Sequence, residues 1–503
     1  MENTFLDSMK RDMNYTETEN GGITHKSTLD AVYDMFALGG AYRSRSDEDC
    51  ILLFKKALEE NEELALKCLF YLRDIRGGGQ GERRFFRVCF NWLAKNYPEL
   101  AFRNLDNIPE YGRWDDLYCV EGTELRADAF DVIQCQLNKD LISLKEGEKE
   151  GVSLLGKWLK SENASAEDTK YLANQTRIAL GYSHKKYRKI LSALRTRINI
   201  VEKLMSEGRW EEIEFAKLPS KAGLIYRNAF AHNDLIKDKY EAFINSKETK
   251  VNAATLYPYE IVKKVTDTLD YWGHTDLEET EREVLNKYWA NQKDYLNGKP
   301  CKMMCVVDTS GSMDSSYGTS VKPIDVAISL GMYCAERIGE PFKNYFISFS
   351  SRPQLIEIDK MGIDFCSRVK NIYQTNLCSN TDIEAVFKLL KNTILETGQK
   401  DILDTIVIIS DMQIDKMSYW RDEERVKSEM ERIRIEWEQD GLKMPHLIYW
   451  CVDAKKDTIL DLGPNVTCCS GCSPIIFKQV LTGKTGIELC LEILNSKRYE
   501  SIR

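Results

Sequence analysis

Residues 303–307, Met-Met-Cys-Val-Val, are an unbroken apolar run that ends in Asp308-Thr-Ser310-Gly-Ser312. A strand with no polar face has to be buried on both sides, which is the condition of a parallel sheet covered by helices. Its C-terminal tip then carries a carboxylate and two hydroxyls. Two more segments present the same kind of group: Ser379-Asn-Thr381-Asp382 opens an apolar-periodic stretch, and Thr405-Ile-Val-Ile-Ile-Ser410-Asp411 is another apolar run closed by a carboxylate. Ligands of open α/β sheets gather at the carboxyl ends of the strands. Asp308, Ser310, Ser312, Thr381 and Asp411 are therefore expected to converge on one oxygen-rich metal site. Oxygen donors of this kind suit a small hard dication such as Mg2+, which demands octahedral geometry and keeps some of its waters. Gly311 permits the turn that faces both serines to one ion. Taken singly, each Ser or Thr is equally explained as a helix cap after a strand; the spacing of the full set favours the ion.

Strand-like runs over 302–308, 343–350, 355–358, 405–411 and 446–452 alternate with helical ones over 321–339, 382–395, 419–439, 473–481 and 486–495. That alternation predicts a doubly wound parallel sheet. Before it, from residue 27 to about 289, apolar residues recur at three- and four-residue spacing, as in 52–72, 85–94, 129–144 and 187–204. Short helices in series predict an α-solenoid or irregular helical array, since each pair buries its apolar face on the next. No fixed-period repeat stands out. At 503 residues the chain exceeds one core. The expected division is a polar, mobile or loosely docked tail over 1–25, a helical domain over 26–297 and an α/β domain over 298–503, an α + α/β organisation.

An apolar content of 43% with 30% charged residues fits an ordinary soluble protein. No window has the apolar length of a membrane span and the first residues lack a signal peptide, so a cytoplasmic protein is expected. The fifteen cysteines are scattered and odd in number, as buried reduced thiols would be. Cys468-Cys469-Ser-Gly-Cys472 offers one close couple with no nearby histidine, too little for structural zinc. The five histidines, His25, His184, His232, His274 and His446, match no triad or metal spacing. With no P-loop either, a non-catalytic protein is expected.

The net charge is −9, and residues 1–300 carry 45 basic against 50 acidic side chains, so a polyanion site depends on how charge is distributed. Residues 151–200 hold ten Lys and Arg against three Asp and Glu, among them Arg177, Lys185, Lys186, Arg188, Lys189, Arg195 and Arg197. Tyr187, Leu191, Leu194, Ile198 and Val201 form the apolar stripe of that helix, which puts the basic residues on its outward faces, with His184 and Tyr182 at the start. The ridge is either a phosphate-tracking surface or a solvated helix face. Arg76, Arg83 and Arg84, around Gly77 to Gly79, make either a phosphate-binding loop or salt bridges between helices. Lys221 lies in a further Pro-containing segment.

The Asp308-Thr-Ser310-Gly-Ser312, Thr381 and Asp411 set resembles the metal-ion-dependent adhesion site of von Willebrand factor A domains, over residues 300–503. The resemblance implies that the serines and threonine hold the ion directly and the aspartates through water, and that the domain binds a partner, such as a protein offering an Asp or Glu to the metal. In the helical part, Arg73-Asp-Ile-Arg76-Gly-Gly-Gly-Gln-Gly-Glu82-Arg83-Arg84, Gly112-Arg113-Trp114-Asp115-Asp116, Leu218-Pro-Ser-Lys221 and Leu256-Tyr-Pro-Tyr-Glu260 are similar to landmarks of the Ro autoantigen (TROVE) group. They are closer still to a relative family that also joins a helical region to a terminal von Willebrand A domain. This implies a monomeric ring of HEAT-like helices closed by that domain. Such a ring binds small non-coding RNAs, structured ones on an outer basic surface and single-stranded ends in the central hole.

Overall fold

The computed structural model describes residues 4–147, 151–198, 200–270, 275, 277–298, 301–315, 319–349, 351–375, 380–416 and 427–503. Ser379, His274, residues 299–300 of the expected boundary and the first part of the 419–439 helix lie outside them.

The chain starts with helix Thr4–Asp12 and an antiparallel hairpin of β1 (Tyr15–Glu17) and β2 (Ile23–His25). The hairpin is docked, which corrects the expectation of a mobile or loosely docked tail. Thr18 Oγ1 donates to the Ile414 carbonyl at 2.6 Å, the Asn20 side chain donates to the Gln413 carbonyl at 2.7 Å, and His25 exchanges backbone bonds with Ile459 at 3.0 and 2.9 Å. A polar composition conceals this because the stabilising groups are polar side chains and backbone groups whose partners lie about 400 residues away.

Helices follow from Ala31–Leu38 to Glu279–Ala290. Their ends are set locally: Ser46 and Asp49 form a capping box for Asp47–Glu60, and Asn61 caps Glu62–Arg73. The C-terminal region is a mixed six-stranded sheet. Its strands are β3 (Met303–Asp308), β4 (Tyr345–Phe349), β5 (Gln354–Glu357), β6 (Thr405–Ser410), β7 (His446–Cys451) and β8 (Val466–Ser470), in the order β5-β4-β3-β6-β7-β8. All neighbours pair in parallel except β5, which runs antiparallel on the edge.

Alternation along the central strands divides the apolar core in two. Met304, Val306, Ile406, Ile408, Leu447 and Tyr449 share one face with the buried residues of helices up to Leu194. Met303, Cys305, Val307, Val407, Ile409 and Trp450 share the other with residues from Val201 to Leu296. The helical region thus covers both faces of the sheet, changing over near residue 200. Cys468 and Cys469, adjacent on β8, go one to each core, so the cysteine couple is part of the packing.

Both ends of the helical region reach the sheet region. Tyr33 OH accepts from the Cys468 amide at 2.7 Å, and the Gly40 amide donates to Ser470 Oγ at 3.0 Å. At the other end, Arg282 Nε donates to Asp364 Oδ2 at 2.5 Å, and Trp289 stacks on Phe365 with ring centres 4.5 Å apart. Early and late helices also meet directly, as Tyr257 OH donates to the Gln80 carbonyl at 2.9 Å.

Candidate functional site

Register brings the oxygen-bearing residues to one edge of the sheet: Val307 lies opposite Ile409, and Ser410 opposite Cys451. Asp308, at the tip of β3, is fully buried; Asp308 Oδ1 accepts from the Ser310 amide at 2.9 Å and Asp308 Oδ2 from Ser410 Oγ at 2.5 Å. A single 3-10 turn, Gly311–Asp314, follows and sets Ser310 Oγ 3.1 Å from Ser312 Oγ. Met412 is left-handed at φ 63°, an uncommon conformation for a side-chain-bearing residue. It turns the chain after β6, so that the Gln413 amide donates to Asp411 Oδ1 at 3.1 Å. Thr381 joins the same edge through reciprocal bonds with Asp415, its amide donating to Asp415 Oδ2 and its carbonyl accepting from the Asp415 amide, both at 2.9 Å.

One residue that sequence reasoning missed stands in this site. Lys455, from the loop after β7, donates from Nζ to Asp411 Oδ2 at 2.9 Å and to the Ser312 carbonyl at 3.1 Å. Its loop is fastened to the helical region: Ser44 Oγ donates to Asp453 Oδ1 at 2.6 Å, the Ala454 amide to the Ala41 carbonyl at 3.0 Å, and Arg45 to the Lys455 carbonyl at 3.0 Å. Burial, and after it Asp411, raises the Asp308 carboxyl above the usual carboxylate range; burial raises Asp453 likewise. Three carboxyls, Asp308, Asp411 and Asp453, are buried here; the Lys455 ammonium faces Asp411 and Asp453, Arg43 also faces Asp453, and Asp308 adjoins Asp411. This surplus of negative charge, with hydroxyl oxygens alongside, fits a small hard dication. Among the described residues no group of three or more His, Cys, Asp or Glu forms a metal cage by itself, so such an ion depends on the hydroxyls.

The basic candidates divide into two groups. Arg76 donates to the Pro109 and Glu110 carbonyls at 2.7 and 3.0 Å, Arg84 pairs with Asp47, and Lys221 Nζ lies 2.6 Å from Glu260 Oε1. Arg177 holds Glu162 at 3.1 Å and the Tyr182 carbonyl at 2.9 Å. Arg195 donates to Gly156, Leu159 and Ser161, and Arg197 to the Gly147 carbonyl at 2.8 Å. These six act as ties between segments. Lys185, Lys186, Arg188 and Lys189 instead project from helix His184–Arg197 and are exposed. None of the four has a carboxylate at ion-pair distance among the described residues; Lys186 lies over the Tyr182 ring at 3.9 Å and Arg188 bonds the His184 carbonyl. His184 Nδ1 is 2.7 Å from Glu162 Oε1. Arg83 is exposed and also lacks an ion pair among the described residues.

A family described as a domain of unknown function (DUF2828) matches residues 18–119 and 130–298, and another domain of unknown function (DUF7788) matches residues 302–499. Uncharacterized protein L728 of Acanthamoeba polyphaga mimivirus is 26% identical over 488 residues, which is 90% of this chain and 81% of that one. The crystal structure of the Deinococcus radiodurans RO (RSR) protein aligns with a TM-score of 0.45 at 14% identity, over 93% of this chain and 99% of that one.

Proposed function

We propose that this chain, which belongs to the DUF2828 family, is a non-catalytic RNA-binding protein that also holds a divalent cation at the edge of its sheet. The observation that carries the RNA reading is the ridge of Lys185, Lys186, Arg188 and Lys189, four exposed cations with no carboxylate at ion-pair distance among the described residues, in a chain of net charge −9. Cations grouped in this way repel one another and draw a polyanion, whose bound counterions are released on contact. The TROVE-like motifs favour small structured RNA or single-stranded RNA ends as that polyanion. In this reading the helices form a HEAT-like ring closed by a von Willebrand A-like domain; contacts of the C-terminal region, through β8 with Tyr33 at one end and through Phe365 with Trp289 at the other, support it.

At the sheet edge, Asp308, Ser310, Ser312, Thr381 and Asp411 would hold Mg2+, which when bound supplies the positive charge those carboxylates lack. Lys455 supplies part of that charge already, so cation entry involves moving its ammonium off Asp411. Capture of a partner's carboxylate at this ion is the less favoured reading. Asp308, Ser310, Thr381 and Asp411 are buried, and the 18–22 turn and residues 41–45 pack around them.

A gel shift with a small structured RNA bearing a single-stranded tail tests the proposal. The full chain binds at low salt, and Lys185→Glu/Lys189→Glu weakens binding without moving the melting temperature. No binding by the unaltered chain at low salt would overturn the RNA reading. Partner capture that survives nuclease and is abolished by Asp308→Ala would favour the protein-binding alternative.

A further inference from the structure

Asp115 and Asp116 are 4% and 0% exposed, and more cations surround them than they can neutralise. Arg73 Nη2 lies 2.7 Å from Asp116 Oδ2, and Arg87 lies 2.7 Å from Asp116 Oδ1 and 3.1 Å from Asp115 Oδ2. Lys160 Nζ is 3.2 Å from Asp115 Oδ2, and the Arg113 amide donates to Asp116 Oδ2 at 2.8 Å. These bonds hold the short Trp114–Val120 helix against Arg83–Asn96. The side chains of Arg83 and Arg113 take no ion pair among the described residues; the Arg113 guanidinium lies 4.4 Å over the Trp158 ring and Arg83 is exposed. Five cations, Arg73, Arg83, Arg87, Arg113 and Lys160, thus share two carboxylates.

We propose that Arg83, Arg87, Arg113 and Lys160 form a phosphate-binding site that anchors the backbone of a bound RNA beside the 185–189 ridge. The inference rests on the RNA reading above and assigns it a second contact point. Guanidinium groups suit this ligand because their fork matches two phosphate oxygens at once. Partial desolvation first, and then Arg87 beside Arg83 and Arg83 beside Arg113, lower the proton affinity of Arg83 and Arg113. Arg83 is also the first residue of a fourteen-residue helix with no side-chain cap, so it stands at that helix's positive end.

The cluster and the ridge are neighbours. The Lys160 carbonyl accepts from Tyr187 OH at 2.8 Å, and Arg195 binds the Gly156 and Leu159 carbonyls at 3.0 and 2.9 Å. The segment that carries Lys157 and Lys160 is therefore packed beneath helix His184–Arg197. A strand whose phosphates leave Lys185 and Lys189 next meets Lys157, Lys160 and Arg113, and then Arg83.

Fluorescence anisotropy of the full chain with a labelled oligouridylate, across a salt series, tests this. Arg83→Ala/Arg113→Ala should weaken binding roughly tenfold or more at fixed salt and reduce the slope of log K against log salt by about 1.4, two contacts at about 0.7 each. Arg84→Ala, next in sequence but paired with Asp47, should leave both unchanged. Neither Arg83 nor Arg113 holds an ion pair among the described residues, so the melting temperature should stay put; if the double variant unfolds, Arg83→Glu carries the same test at an exposed side chain. Wild-type affinity and slope in the double variant, with binding still lost on charge reversal at Lys185 and Lys189, would overturn the site and leave the RNA reading standing. Protection of the wild type by inorganic phosphate without any RNA binding would overturn the assignment to RNA in favour of a small phosphorylated ligand. Failure to bind either one would overturn the RNA reading together with the site.

Discussion

An ammonium held 2.9 Å from Asp411 Oδ2 and 3.1 Å from the Ser312 carbonyl is already a cation among oxygens, so a dication entering beside Asp308 competes with Lys455. Lys455→Met keeps most of the length of the side chain and removes its charge. It should tighten Mn2+ binding, read by electron paramagnetic resonance of the free ion, by roughly tenfold, since each 1.4 kcal/mol of charge competition removed is a factor of ten. Unchanged or weaker Mn2+ binding would take Lys455 out of the site. Asp325 offers a separate test at this scale. It is buried, Asp325 Oδ1 accepts from Thr266 Oγ1 at 2.8 Å, and Asp325 Oδ2 has no hydrogen-bond partner among the described residues. Burial pushes its carboxyl up to about 6. A carboxyl raised above its unfolded value stabilises the fold below the ordinary aspartate range, and that contribution is lost as pH rises through about 6. Denaturant unfolding should therefore find the wild type less stable at pH 8 than at pH 5 by about 1.4 kcal/mol from this group. Asp325→Asn should flatten that difference; an unaltered pH profile would contradict the assignment. The meeting of Asp308, Ser310 and Ser312 on one turn was legible because spacing alone puts them there. Lys455 was not, because 44 residues part it from Asp411 and only the parallel pairing of β6 with β7 brings them together.

At the scale of elements, strands β3, β6 and β7 could be read directly, since a run buried on both faces has no polar position to confuse it with an amphipathic helix. Hairpin β1–β2 could not. Its strands are three residues each, too short for a period, and it is held by a loop near residue 414 and by Ile459. Gly22 marks how close the two segments run: a Cβ there would lie 2.8 Å from the Ile414 carbonyl oxygen. Gly22→Val should lift the hairpin, so that hydrogen exchange quickens over residues 15–25 while β3 and β6 stay protected. Unchanged exchange in the hairpin would contradict the docking contact. The helix that carries the ridge falls between these cases. Its periodicity was plain, yet Arg195 and Arg197 bond carbonyls, as Arg177 on the preceding helix bonds a carbonyl and Glu162, and no charge count distinguishes a cation that ties two segments from one that meets solvent.

At the scale of the molecule, the motifs over 73–84, 112–116, 218–221 and 256–260 largely fasten to one another and to the rest of the chain. Arg73 meets Asp116, Lys221 meets Glu260, Gln80 meets Tyr257, and Asp74 meets Arg498 near the C-terminus at 2.9 Å. Much of the basic charge in those motifs is thereby used to hold the helical region together and to the sheet, which leaves the 185–189 ridge and the Arg83–Arg113 cluster as surplus. The salt dependence of RNA binding by the full, unaltered chain measures this division between structural and surplus charge. Four ridge contacts predict a slope of log K against log salt of about −3 for single-stranded RNA, steeper still if the arginine cluster joins, and shallower in Lys185→Glu/Lys189→Glu. Binding that is absent at low salt, or a slope near zero that the double substitution leaves unchanged, would contradict it.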